Sequence, residues 1–284
     1  MKILPISVVI ASVGGKQLFK TLDSIVNSEF VPIEVVVSLP PKVKICKIKT
    51  DLTAIKIINS DVKGQVKQRI FGYQFCTSEF ILQSDDDIYY SPLCLKKMFD
   101  ALNSMGKGIV VGPILMDYSS QNVITIFQSG FRGFLKNIFD SCICLAPWGI
   151  KKMGKISKIG LGYGVDVNLI DKETPFEVSW LPGGCSMSHR SDVILEDYYP
   201  YSGKAFGEDI LQSLKRKKLG LKMYILPWCK GYLTDMANCN LDSKSMISNI
   251  RAHRLILEKI DGNIIFFYIW ALFFYIKTII FRHL

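Results

Sequence analysis

The sequence predicts an α/β protein with a mostly parallel central sheet and a C-terminal apolar helical tail. Three observations predict it. Short β-branched runs alternate with helical periodicity through the first 115 residues. The triplet Asp85-Asp86-Asp87 follows directly on the apolar run Phe80-Ile81-Leu82. Ile264 to Ile276 is unbroken apolar and aromatic sequence, unlike anything before it.

Ile6 to Ser12 reads as the first buried strand, since short β-branched runs are what a sheet covered on both faces requires. A signal peptide is the weaker reading of the same stretch, which is short and broken by Pro5. Leu18, Phe19, Leu22, Ile25 and Val26 recur at helical spacing, and Ile33 to Leu39 returns as a strand ended by Pro40-Pro41. Lys42 to Thr53 reads as loop and irregular strand. A helix opening near Gly64 carries Val66, Ile70 and Tyr73 on one face, and Phe80-Ile81-Leu82 is the strand that delivers the aspartates. Ser91-Pro92 signals a helix start, with Leu95, Met98, Phe99 and Leu102 inward, and Ile109 to Val111 forms the next strand.

Periodicity weakens from 117 to 176, which reads as an insertion over the site, with Phe131, Phe134, Leu135, Ile138 and Phe139 as an amphipathic patch or ordinary packing surface. A strand then leads into Trp180-Leu181-Pro182-Gly183-Gly184. Gly207-Glu208-Asp209 opens a helix with acids in its first turn, Lys215-Arg216-Lys217-Lys218 in its last and Gly220 after it, in agreement with the helix dipole. That basic run reads as a solvated helix end. The chain divides into three parts, 1–115, 116–240 and a tail, 241–284.

The 284 residues are 49% hydrophobic, which excludes a mainly disordered chain, and 35 Lys plus Arg against 25 Asp plus Glu give +10, which favours an anionic partner. Eight cysteines without a CxxC pair or zinc-type spacing argue against a metal knuckle and for a reducing cytosol. The terminal run is borderline for a spanning helix and long enough to lie in a membrane interface.

Three adjacent aspartates after a buried strand raise one another's pKa unless positive charge sits among them. Open sheets place ligands beyond the carboxyl ends of their strands, and a divalent cation with phosphate oxygens suits that position. The competing reading is a solvated acidic turn.

Several of these segments together resemble the inverting GT-A fold glycosyltransferases of the family 2 type. Ile6-Ser7-Val8-Val9-Ile10 resembles their opening strand, Gly64, Arg69 and Gly72 their G...R..G helix, and Phe80 to Asp87 their DXD strand. Trp180 to Ser186 resembles their acceptor-side glycine turn and Gly207-Glu208-Asp209 their ED motif. The resemblance implies a GT-A type nucleotide-binding fold and Mn2+ or Mg2+ held by Asp87 with Asp85. It implies donor contacts from Ser12, Arg69, Asp85 and Asp86, with Glu34 or Ser38 replacing the paired acids that often read the base. Trp180, Gly183 and Gly184 would meet the acceptor. Asp209 would be the catalytic base beside Glu208, ionised by its helix N-terminus and pushed back up by burial and Glu208. The histidine that commonly completes the metal site is missing from Gly231 to Asp235, leaving Asp235 or water.

The expected activity is transfer of a sugar from a nucleotide-sugar to a hydroxyl of a glycan acceptor. The acceptor expected is a lipid-linked surface polysaccharide such as capsule or O-antigen, at the cytosolic membrane face through 264–281. A nucleotidyltransferase, hinted at by Gly14-Gly15-Lys16, is the other enzyme reading. A basic membrane or nucleic-acid binding module is the non-enzyme one; no nucleic-acid partner is expected, because no recognition motif or basic stripe supports it.

Overall fold

A computed structural model describes residues 2–45, 53–201, 205–234 and 243–282, with the side chains of 243–246 and 277–282 outside that description. Its first half follows the alternation of the sequence: β1 (Lys2–Ala11), α1 (Lys16–Val26), β2 (Phe30–Leu39), β3 (Ala54–Asn59), α2 (Gln65–Tyr73), β4 (Phe80–Ser84), β5 (Ile88–Tyr90), α3 (Cys94–Met105) and β6 (Ile109–Asp117). Then come α4 (Gly130–Cys142), β7 (Phe176–Val178), β8 (Cys185–His189), α5 (Glu208–Lys218), β9 (Lys222–Leu233), α6 (Ser243–Ile260) and α7 (Ile264–Arg282).

The strands form one sheet in the order β3-β2-β1-β4-β8-β6-β9-β5, with β7 paired to β9. β1, β2, β3 and β4 run parallel, as the sequence predicts for the first 115 residues. β8 runs antiparallel between β4 and β6, which makes the second half mixed. The reversal matters for function. The β1–β2 and β1–β4 registers pair Ala11 with Ser38 and Ile10 with Ser84, so Ser12, Ser38 and Asp85 end at one edge. Ser84 also pairs with Cys185, the first residue of β8, so antiparallel pairing brings Gly183-Gly184 to that same edge.

Alternation along the strands divides the core. Val8, Ile10, Val37 and Leu82 pack under Leu18, Leu22 and Ile25 of α1 and Leu95, Met98 and Leu102 of α3. Val9, Val36 and Ile81 face Tyr73 on the opposite side, under α2. Gly72 lets α2 lie close, since a Cβ there would meet Val9 Cγ1 at 2.6 Å. Val66, Ile210, Leu211, Ala252 and Ile256 join α2 to α5 and α6.

Two readings change here. Ser91 does not cap α3 through its hydroxyl, which donates to the Lys230 carbonyl at 3.0 Å. The run at 215–218 is not uniformly solvated, because Arg216 is buried and donates to Ser186 Oγ at 2.9 Å.

Candidate active site

The floor of the cleft is built from main chain and amides. Gln68 on α2 donates through Nε2 to the carbonyls of Ser12 and Ser38, at 2.9 and 2.8 Å, and so ties the ends of β1 and β2 together. The Ser12 amide adds a bond to the Ser38 carbonyl at 3.1 Å. The chain then turns through Gly14, whose φ of +82° lies in the left-handed region and whose amide donates to Ser12 Oγ at 2.9 Å.

Above this floor the three aspartates are half-buried and diverge in their partners. Asp85 accepts from Arg69 Nη2 at 2.5 Å and from Gln65 Nε2 at 2.8 Å. Asp86 accepts from the Ser12 hydroxyl. Burial and the neighbouring Asp85 charge hold the Asp86 carboxyl above its ordinary range, against the Ser12 hydrogen bond. Asp87 is joined through its carbonyl to the Thr234 amide at 2.9 Å and hydroxyl at 3.0 Å. The end of β9 therefore lies beside the triplet, while Asp235 falls outside the described residues.

Arg69 departs from its expected place against the donor. It is 1% exposed and spans two carboxylates, Asp85 and Glu208, with Nη1 reaching Glu208 Oε1 at 2.7 Å. Burial opposes its charge, but the two acids hold it protonated far above the usual range. Tyr198 donates to the other Glu208 oxygen at 3.1 Å, and burial with the Glu208 charge keeps its hydroxyl protonated. Arg69 and Glu208 are organising groups of the site rather than surfaces for a ligand.

Glu34 and Ser38 also depart from the expected base-reading role. Glu34 lies four residues before Ser38, about 13 Å back along β2. There it accepts from Ser7 Oγ at 2.5 Å, Lys56 Nζ at 2.5 Å and the Thr77 amide at 2.6 Å. Burial works against its ionisation, but Lys56, Ser7 and Thr77 outweigh it and lower its pKa to about 2. Ser38 is fully buried, so it contributes its carbonyl to the floor and not its hydroxyl to a ligand.

The glycine turn meets the ED segment directly. A Cβ on Gly184 would lie 2.6 Å from Asp85 Oδ2, and one on Gly183 would collide with the Glu208 carboxylate. Gly207, at φ +64°, supplies the left-handed turn that points Glu208 and Asp209 into the cleft from the first turn of α5. Burial, then the Glu208 charge, pushes the Asp209 carboxyl up to about 7, with Asp85 adding to it and the Ile210 amide opposing. The helix N-terminus therefore does not dominate; crowding by apolar walls and like charge does.

Asp209 lines a cavity of about 210 Å³, together with Trp180, Pro182 and Thr125. Its walls are mainly apolar residues such as Ile114, Leu115 and Val165. Trp180 is held there by its Nε1–H to the Tyr163 carbonyl at 3.0 Å. Gln65, Gln68 and Tyr198 are site residues that sequence reasoning passes over. Gln65 and Gln68 stand at i and i+3 on the helix of Arg69, and that spacing is the signal that marks them.

Among the described residues, no three acids, histidines or cysteines converge as a metal cage. The hard carboxylate oxygens of Asp86 and Asp87 nevertheless suit Mg2+ or Mn2+, and the raised Asp86 pKa marks negative charge that a cation would relieve. Asp85, by contrast, already has Arg69 as its positive partner.

Residues 7–144 match the family described as Glycosyl transferase family 2. The fold is similar to that of GalNAc-T7 in a crystal structure with UDP, GalNAc and Mn2+, with a TM-score of 0.57 and 14% identity over 88% of this chain and 48% of that one. It is also similar to S. aureus TarS 1-349 in complex with UDP-GlcNAc, with a TM-score of 0.52 and 15% identity over 91% of this chain and 66% of that one. The chain thus spans about half the length of the first and just under two thirds of the second. No curated protein sequence matches the chain. With the family match over residues 7–144, just under half of the chain, and a similar fold across the whole sheet, the chain has a GT-A type fold and is similar to glycosyl transferase family 2 over that segment.

Proposed function

We propose that the chain transfers a sugar from a nucleotide-sugar donor to a hydroxyl of a glycan acceptor, with inversion by a single displacement. The observation that carries this reading is Asp209. A carboxyl pushed up to about 7 lines an apolar cavity directly beside the Arg69-Asp85-Glu208 cluster. A general base works best with a pKa near the working pH, and here crowding supplies it.

The donor would lie over the floor made by Ser12, Ser38 and Gln68, with its diphosphate near Asp86 and Asp87. A bound Mn2+ or Mg2+ would be held by Asp87 and Asp86 with the diphosphate oxygens, and would supply charge neutralisation for the leaving group. Arg69 holds Asp85 and Glu208 in place. Asp209 removes the acceptor proton as the hydroxyl attacks the anomeric carbon from the side opposite the diphosphate. Trp180 offers an aromatic face to the acceptor in the adjoining cavity.

The acceptor in this reading is a lipid-linked surface glycan at the cytosolic membrane face. Exposed apolar side chains on α7 and the +10 net charge support it. Among the described residues no helix is long and apolar enough to cross a membrane. One side of α7 is occupied by the protein, with Phe267 and Ala271 buried against Cys144, Ile159 and Leu257. Lying on the surface fits that arrangement better than spanning.

A panel of nucleotide-sugars with manganese, scored for released nucleoside diphosphate, tests the reading. Asp87→Ala should lose the manganese dependence. Full transfer activity in Asp209→Asn would remove Asp209 as the base.

A further inference from the structure

We infer that α4 and α7 together form a single docking surface for an acidic membrane, with α4 forming the rim of the acceptor channel. This deepens the membrane reading above, in which the tail alone meets the lipid.

The exposed side chains of α4 are apolar at Phe131, Phe134, Leu135, Ile138 and Phe139, a spacing of i, i+3, i+4, i+7 and i+8 that defines one helical face. Phe131 is 74% exposed. A helix that packs its apolar stripe on its own protein buries it, and this one turns it outward. Trp148 and Ile150 lie exposed just beyond the helix, with Phe134 and Trp148 in edge contact at 5.9 Å. Phe139 meets Phe273 of α7 edge-on at 6.3 Å. That contact joins the α4 face to the exposed Ile265, Leu272 and Phe273 of α7, so two faces distant in sequence are one surface.

Charge decides the occupant. Between residues 118 and 165 there are six basic residues, Arg132, Lys136, Lys151, Lys152, Lys155 and Lys158, and one acid, Asp140. Asp140 is buried, paired with Lys152 at 2.5 Å, so the charges left at the surface are all positive. Apolar and aromatic side chains rimmed by Lys and Arg match an interface of acidic headgroups over acyl chains. A second copy of this chain would bring the same positive rim against itself.

The position of α4 links docking to the chemistry. A cavity of about 470 Å³ continues the Asp209 cavity past Thr125, Tyr163 and Gly164, and its outer wall includes Gly133 and Lys136 of α4. A lipid-held acceptor would reach Asp209 from the docked face without leaving the membrane surface.

Flotation of the full chain with phosphatidylcholine vesicles, with and without phosphatidylglycerol, tests this. The wild type should float with the acidic vesicles, and Phe131→Ser, Phe134→Ser and Leu135→Ser together should weaken that binding more than about tenfold although α7 is intact. An unchanged melting temperature and unchanged release of nucleoside diphosphate from a soluble donor would show that the triple variant is folded and its donor site intact. Flotation of the triple variant equal to wild type would overturn the inference, as would equal wild-type binding to neutral vesicles. Light scattering without vesicles gives a third outcome: a dimer that the same substitutions dissociate would assign this face to self-association instead. Failure of donor turnover in the wild type would sink the proposed activity and leave the flotation result standing.

Discussion

Arg69 and Glu208 lie 139 residues apart in the chain and meet at 2.7 Å, so that one buried guanidinium ties α2 to the first turn of α5. The same guanidinium holds Asp85 at 2.5 Å. A mostly buried ion triad of this kind is costly to form and more costly to break, because removing one member strands the charge of the others.

Arg69→Ala should therefore lower unfolding free energy by about 3–5 kcal/mol, measured by denaturant titration, and abolish turnover. Arg69→Lys keeps the charge but cannot fork between two carboxylates, so it should fall between the two. Equal stability of Arg69→Lys and wild type would show that the forked geometry contributes nothing.

The raised carboxyl of Asp209 predicts a pH profile with a definite sign. With a pKa of about 7 in the fold, the residue is mostly protonated below neutrality, and kcat/KM should rise through pH 7 and level off above it. The stability effect runs the other way. A carboxyl whose pKa is raised on folding costs nothing at low pH and destabilises progressively as pH climbs from about 4 through about 7. Asp209→Asn should then be more stable than wild type at pH 8, by up to about 4 kcal/mol, and indistinguishable near pH 4. It should also lose about 10²–10⁴-fold in transfer rate. A flat rate profile from pH 6 to 8 would count against the assignment.

Glu34 predicts the opposite pairing of effects. Its carboxylate joins β2 to β3, β1 and the loop before β4 through Lys56, Ser7 and Thr77 respectively, far from the cleft. Glu34→Gln should cost about 2 kcal/mol at pH 7, with donor turnover unchanged in the folded fraction. Because the native pKa is depressed to about 2, that stabilisation is complete above about pH 4.5 and is lost as pH falls towards 2. A drop in donor affinity at full stability would return Glu34 to the binding site.

The elements with strong local patterns were the legible ones. β1, β2 and β4 are β-branched or apolar runs, and α1 and α3 repeat their apolar residues at helical spacing, so each is visible in its own residues. β3, β5 and β8 were not. The run Ile88–Tyr90 is too short to show a period, and β8, Cys185–His189, has the small and polar residues of a strand chosen by its neighbours. The α4 face was visible as a spacing, but its direction depended on what packed against it.

By itself the sequence determined an α/β fold with Asp85 to Asp87 at a strand end and Gly207-Glu208-Asp209 at a helix start, because each of those signals is local. Tertiary structure decided what the charged residues do. Asp209 titrates near neutrality because apolar walls and Glu208 surround it. Arg69 turns inward because two carboxylates from distant segments converge on it, and Glu34 is withdrawn from the cleft because strand register places it about 13 Å from the edge. Burial and charge pairing act through space, and only the folded chain sets those distances.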